Sequence, residues 1–94
     1  MQTKSIYKVP DGKLIKIFLE YKKESNLIKS ITIAGDFFAY PEESIQQLER
    51  TLIGKPIEKS GLQQLITDFV DEHNVQFIGI SPKSLTEAVM RCPL

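Results

Sequence analysis

Tryptophan is absent from this sequence, and cysteine and histidine occur once each. A single cysteine, Cys92, excludes an internal disulfide and any metal site built from several cysteines. No stretch approaches the ~20 consecutive apolar residues that span a bilayer, and no signal-peptide pattern opens the chain. The reduced cytoplasm is therefore the expected compartment, and no membrane partner is expected. Charge of one sign is lacking too, because 12 basic side chains face 12 acidic ones. Nucleic-acid binders commonly carry a basic excess for phosphate contacts, so no nucleic-acid partner is expected. The N-terminal half does hold a lysine run at Lys13, Lys16, Lys22, Lys23 and Lys29, which reads as solvated strand and turn positions.

What is present fits one domain, residues 1–94, with no internal repeat and no Pro/Gly/Ser linker. A chain of this length buries roughly 60–65% of its unfolded surface, which leaves little core to spare for a deep cleft. Strand patterns come first and helix patterns afterwards, the order of an α+β domain. Ser5 to Val9 reads as a short strand closed by Pro10-Asp11-Gly12, a strong turn signal. Lys13 to Tyr21 alternates, with Ile15, Ile17, Leu19 and Tyr21 on one face. Lys22 to Asn26 is a polar turn, and Leu27 to Ala34 returns with Leu27, Ile31 and Ile33 inward. The result is a three-stranded antiparallel meander.

A first helix is expected from Pro41, since Pro at a helix start loses no needed N–H and Glu42 and Glu43 suit the positive end of the dipole. Its stripe is Ile45, Leu48 and Leu52, and Gly54 stops it. Ser60 with Gln63 suggests a capping box for a second helix carrying Leu62, Leu65, Ile66, Phe69 and Val70, with Asn74 at its end. Gln76 to Ile80 is a short strand or an extended connector. Ser81-Pro82 caps a third helix with Leu85, Ala88 and Val89. One apolar stripe per helix lets all three pack on one face of the sheet.

Chemistry-bearing residues are sparse. His73 sits beside Asp71 and Glu72 at a helix end, where the dipole favours its charged form without any catalytic role. Asp68 and Glu72 read as the solvated face opposite Phe69 and Val70, so no metal site is expected. Gly12-Lys13 joins two strands and Gly54-Lys55-Pro56 follows a helix, whereas phosphate loops run from strand into helix. The segment Ala34-Gly35-Asp36-Phe37-Phe38-Ala39-Tyr40-Pro41 is the most informative. Gly35 and Asp36 suit a strand-exit turn. Three aromatics follow within a few positions, too many to point inward together, so a partner surface and a cover over the core are both open readings.

These segments in order, Lys8-Val9-Pro10-Asp11-Gly12-Lys13-Leu14-Ile15, Ile33-Ala34-Gly35-Asp36-Phe37-Phe38, Pro41-Glu42-Glu43 and Leu52-Ile53-Gly54, resemble the accessory C-terminal domain of lipoate–protein ligases. In archaeal members that domain is a separate small subunit. Asp11 departs from the family, which often has a second glycine there, but Pro-Asp-Gly can make a similar turn. The resemblance implies a fold similar to that of iron–sulfur assembly scaffolds, and a non-catalytic subunit in a heterodimer with a catalytic lipoate–protein ligase. That partner would bind lipoate, ATP and Mg, form lipoyl-adenylate, and pass the lipoyl group to a lysine of lipoyl-domain proteins. Its Arg-Arg and Gly-Gly-Gly ligand-binding motif is absent here, so no catalytic, cofactor or metal residues are expected. Gly12, Lys13, Gly35, Asp36, Phe37 and Phe38 are the expected partner contacts, being the family-pattern residues with least evident structural duty. Lys13 is alternatively placed to approach the ATP phosphates. A sulfur or iron–sulfur carrier and a generic protein-interaction module are the rival readings; the carrier would depend on Cys92 alone.

Overall fold

Alternation at Ile15, Ile17, Leu19 and Tyr21 makes the central strand half-buried, and all four side chains lie in the core. The computed structural model describes residues 1–10 and 12–94; Asp11, in the middle of the expected Pro10–Gly12 turn, lies outside them. The strands β1 (Gln2–Lys8), β2 (Leu14–Lys22) and β3 (Leu27–Gly35) form an antiparallel meander in the order β1-β2-β3. Both outer strands are longer than the sequence pattern suggests, β1 most of all. Its polar residues Gln2, Thr3 and Lys4 pair with Glu20, Leu19 and Phe18, so neighbouring backbone, not side-chain propensity, makes them a strand.

β3 departs from the expected inward set. Glu20 pairs with Ser30 while Tyr21 pairs with Ile28, which leaves Lys29 as an extra residue. One inserted residue reverses the alternation on its N-terminal side. Ile28, not Leu27, therefore joins Ile31 and Ile33 in the core, and Lys29 turns outward to meet Glu20 at 3.5 Å.

Helices α1 (Ser44–Leu52), α2 (Lys59–Glu72) and α3 (Pro82–Met90) all lie on the inner face of this sheet. α1 runs along β3, α3 packs against β1 and β2, and α2 packs on α3. The stripes Leu48/Leu52, Leu62/Ile66/Phe69 and Leu85/Ala88/Val89 are buried as the periodicity requires. The outer edge of β3 is also covered. The Glu49 carboxylate accepts from the Ile33 N–H at 2.7 Å, and the segment after α1 exchanges backbone bonds with Ile28 (Gly54 N to Ile28 O, 2.7 Å; Ile28 N to Lys55 O, 2.9 Å).

Two helix starts differ from the sequence reading. α1 begins at Ser44 instead of Pro41, because Pro41 closes a turn in which its carbonyl accepts from the Ser44 N–H at 3.0 Å. Tyr40 is still strand, paired with Gln76, so the chain needs that turn before it can coil. α2 is capped by Glu58, not by a Ser60–Gln63 box. The Glu58 carboxylate accepts from the Ser60 N–H (3.1 Å), the Gly61 N–H (2.7 Å) and the Ser60 hydroxyl. A carboxylate does this as well as a hydroxyl, with the helix dipole in its favour. The Ser60 hydroxyl first, then the two N–H groups, lower the Glu58 pKa. A lowered folded-state pKa adds stability above the ordinary carboxylate range that is lost as pH falls through the folded value. Glu58→Ala is therefore expected to lower the melting temperature at pH 7. The gap to wild type should close as acid protonates Glu58, in thermal melts followed by circular dichroism from pH 7 to pH 2. α3 starts as expected, with Pro82 first and a reciprocal Ser81–Ser84 capping box.

A second, two-stranded sheet completes the fold. β4 (Phe38–Tyr40) pairs antiparallel with β5 (Gln76–Ile78), so the Gln76–Ile80 stretch is a strand at its beginning and a connector afterwards.

Candidate functional site

Gly12, Gly35 and Gly79, far apart in sequence, meet at one end of the molecule. The Lys13 N–H donates to the Gly79 carbonyl at 3.1 Å, which ties the β1–β2 turn to the segment after β5. A side chain at Gly12 would press on that carbonyl and on Val9, and a side chain at Gly79, where φ is +91°, would run into the Lys13 stem. At the end of β3, Gly35 adopts φ +153° with its Cα directly over the Leu14 carbonyl. The next residue fastens the same junction from the other side. The Asp36 carboxylate accepts from the Leu14 N–H at 2.7 Å, and the Asp36 N–H donates to the Leu14 carbonyl at 3.3 Å. Lys8 braces the first turn by donating to the Gly12 carbonyl at 2.6 Å and the Val9 carbonyl at 3.3 Å.

The six residues expected to meet a partner thus separate into two kinds. Gly12, Gly35 and Asp36 have definite structural duties, which corrects the view that they are structurally dispensable: their atoms are consumed in joining three turns. Phe37 is half-buried and packs against the core. Asp36, Lys13 and Phe38 are the members of the set whose side chains are exposed, and of these the Asp36 carboxylate is engaged by the Leu14 N–H.

Phe38 does not stand alone. Its partner across the small sheet is Ile78, and Tyr40 lies two residues along β4 on the same face. These three side chains are 57%, 43% and 47% exposed for Phe38, Ile78 and Tyr40 respectively, and they make one apolar stripe. The opposite face of the same sheet carries Ala39 and Phe77, and Phe77 packs against the core. The aromatic segment divides by residue: Phe37 covers the core, while Phe38 and Tyr40 point away from it and lie exposed. Ile78 is the functional candidate that sequence reasoning missed. Its alternation spans only Gln76-Phe77-Ile78, too short to show a face until β4 is placed beside it. The stripe adjoins the turn cluster directly, since Gly35 and Asp36 lead into β4 and Gly79 follows Ile78.

The remaining chemistry-bearing residues are held in structural roles. His73 caps the C-terminus of α2, with its ring 4.3 Å from that of Phe69. Among the described residues no three His, Cys, Asp or Glu side chains group to hold a metal ion, and no helix is long and apolar enough to cross a membrane. Cys92 is buried behind β1, and its thiol pKa is raised by that burial against a smaller opposing effect of the Ser5 hydroxyl. A raised pKa leaves less thiolate, the reactive form.

This geometry has counterparts among known proteins. The family model for the bacterial lipoate protein ligase C-terminus matches residues 8–89. Lipoate-protein ligase A subunit 2 of Thermoplasma acidophilum is 40% identical over 76 residues, which cover 81% of this chain and 76% of that protein. A chain from the solved structures of an archaeal lipoylation system, a bi-partite lipoate protein ligase and its E2 lipoyl domain from Thermoplasma acidophilum, superposes with a TM-score of 0.82. It is 36% identical, with 95% of this chain and 94% of that one covered.

Proposed function

Since the chain belongs to the family of the bacterial lipoate protein ligase C-terminus, we propose that it is the accessory subunit of a two-component lipoate–protein ligase. It joins a catalytic subunit and makes that subunit competent to activate lipoate with ATP. Lipoyl-adenylate forms in the partner, and lipoyl-domain proteins receive the lipoyl group on a lysine. The observation that carries the docking part is the Phe38–Tyr40–Ile78 stripe beside the turn cluster. An apolar surface of this kind costs free energy in water and gains it against a matching surface, as stable subunit contacts do. On this reading the turns formed by Gly12, Lys13, Gly35 and Asp36 hold the stripe at a fixed angle and present the Lys13 side chain beside it. Lipoate, ATP and Mg are, on this reading, held by the catalytic subunit.

Pyrophosphate release tests the proposal. A catalytic subunit supplied with lipoate, ATP and Mg should release little pyrophosphate alone and at least tenfold more once this chain is added in equal amount. Equal release with and without the chain would refute the accessory role.

We infer a likeness of the fold to iron–sulfur assembly scaffolds from the family resemblance, and the carrier reading that comes with it is the less favoured one. A carrier of that kind needs an accessible thiolate, whereas Cys92 is buried with a raised pKa.

A further inference from the structure

We propose that the uncovered face of the β1–β2–β3 sheet is a second docking surface, which takes an acidic patch on the acceptor protein that receives the lipoyl group. The inference rests on the accessory-subunit reading and adds the substrate protein to it. Its starting point is charge segregation. Acidic and basic residues balance over the whole chain, yet the three strands carry five lysines against one acid, Glu20. That acid is already taken up by Lys29 at 3.5 Å. The neutral total therefore hides a basic sheet and a more acidic helical side.

The register shows how the face is built. Lys4, Phe18 and Thr32 form one row across the strands, and Ile6, Lys16 and Ala34 form the next. Phe18 and Ile6 are diagonal neighbours, 50% and 66% exposed, and each lies directly opposite a lysine on the adjoining strand. An apolar centre flanked by the ammonium groups of Lys4 and Lys16 fits a protein surface with an apolar spot and carboxylates beside it.

A simpler account covers part of this. Lysines on an edge strand deter pairing between chains, which would explain Lys4 on β1. Lys16 and Phe18 are on the central strand, where no edge needs protection. Nucleic acid fits less well. Sheets that read RNA stack two or three bases on aromatics, and this face offers Phe18 alone and no arginine.

The acceptor is a better occupant than the catalytic subunit. The aromatic stripe on the other sheet already has the apolar character of a lasting subunit contact. A lysine-rich face gives fast, salt-sensitive encounter, which suits a substrate protein that must arrive and leave in every cycle.

The test uses the assembled two-subunit ligase, with the double variant K4E/K16E and the milder K4Q/K16Q. Pyrophosphate release and an apo lipoyl domain as acceptor are the two readouts. Both variants should form the complex and activate lipoate like wild type. For transfer, K4E/K16E should raise KM for the acceptor domain by about tenfold or more, with kcat at saturation unchanged. K4Q/K16Q should raise it less, and added salt should raise the wild-type KM towards the variant value. Normal activation with an unchanged KM would overturn the inference alone. A wild-type chain with no effect on pyrophosphate release would remove the accessory reading and this inference together. Binding of a mixed-sequence RNA oligonucleotide that competes with the acceptor and is lost in K4E/K16E would assign the face to nucleic acid instead.

Discussion

Phe38→Ser is expected to weaken the complex with the catalytic ligase subunit by about 2 kcal/mol, on the order of 30-fold in Kd, without loss of fold. The ring is 57% exposed, so the isolated chain gains little from it and thermal stability should hardly change. In a complex the same ring would be removed from water, which for a Phe side chain contributes roughly 1.5–3 kcal/mol. Ile78→Ser should act in the same direction, and the double variant should fall short of the sum of the two. The side chains are directly paired across β4 and β5, so the first serine already opens the contact that the second would lose. Isothermal titration with the catalytic subunit, beside a thermal melt of each free variant, separates the outcomes. Unchanged Kd in both single variants would remove the stripe from the interface.

Gly35→Ala is the second large effect, and it acts on the fold. A Cβ at this position would overlap the Leu14 carbonyl oxygen, which is backbone and has no rotamer with which to yield. Residue 35 also sits at φ +153°, where side chains are strained. Relief requires β2 and β3 to part at their end, which breaks the paired bonds between Asp36 and Leu14. Strain of about 1–3 kcal/mol plus the lost bonds suggests a cost of about 3–4 kcal/mol. For a domain of this size that is a fall of roughly 12–32 °C in melting temperature. Gly54 supplies the control. It too has a positive φ, +84°, but an added Cβ there meets nothing within 4 Å. Gly54→Ala should cost only the local backbone term, about 1–2 kcal/mol. Equal losses in the two variants would mean that close packing at Gly35 is unimportant.

Much of the architecture was legible because local patterns and tertiary needs agreed. The Ile15–Tyr21 alternation, the helical stripes and the Ser81-Pro82 start all describe faces that one segment can define by itself. The missed features each depended on a second segment. Leu27 and Ile28 exchange places because β3 carries one more residue than the stretch of β2 it pairs with. Glu58 displaced Ser60 as a cap because Gly61 leaves room for a carboxylate, a competition between neighbours of nearly equal capping ability. β4 is too short to show a strand pattern, and pairing with β5 more than thirty residues away decides it.

The candidate surfaces divide along the same line. Sequence alone determined the α+β class and marked Gly12-Lys13 and Gly35-Asp36-Phe37-Phe38 as the segments to place. These follow from residue type and short spacing, which act within a few bonds. Only tertiary structure decided that Gly79 completes the turn cluster, that Ile78 joins Phe38 and Tyr40, and that neutral overall charge conceals a basic sheet. Contacts between distant segments carry no local signature, since the side-chain face of a short strand is fixed by its partner and charge is segregated only once helices and strands take opposite sides.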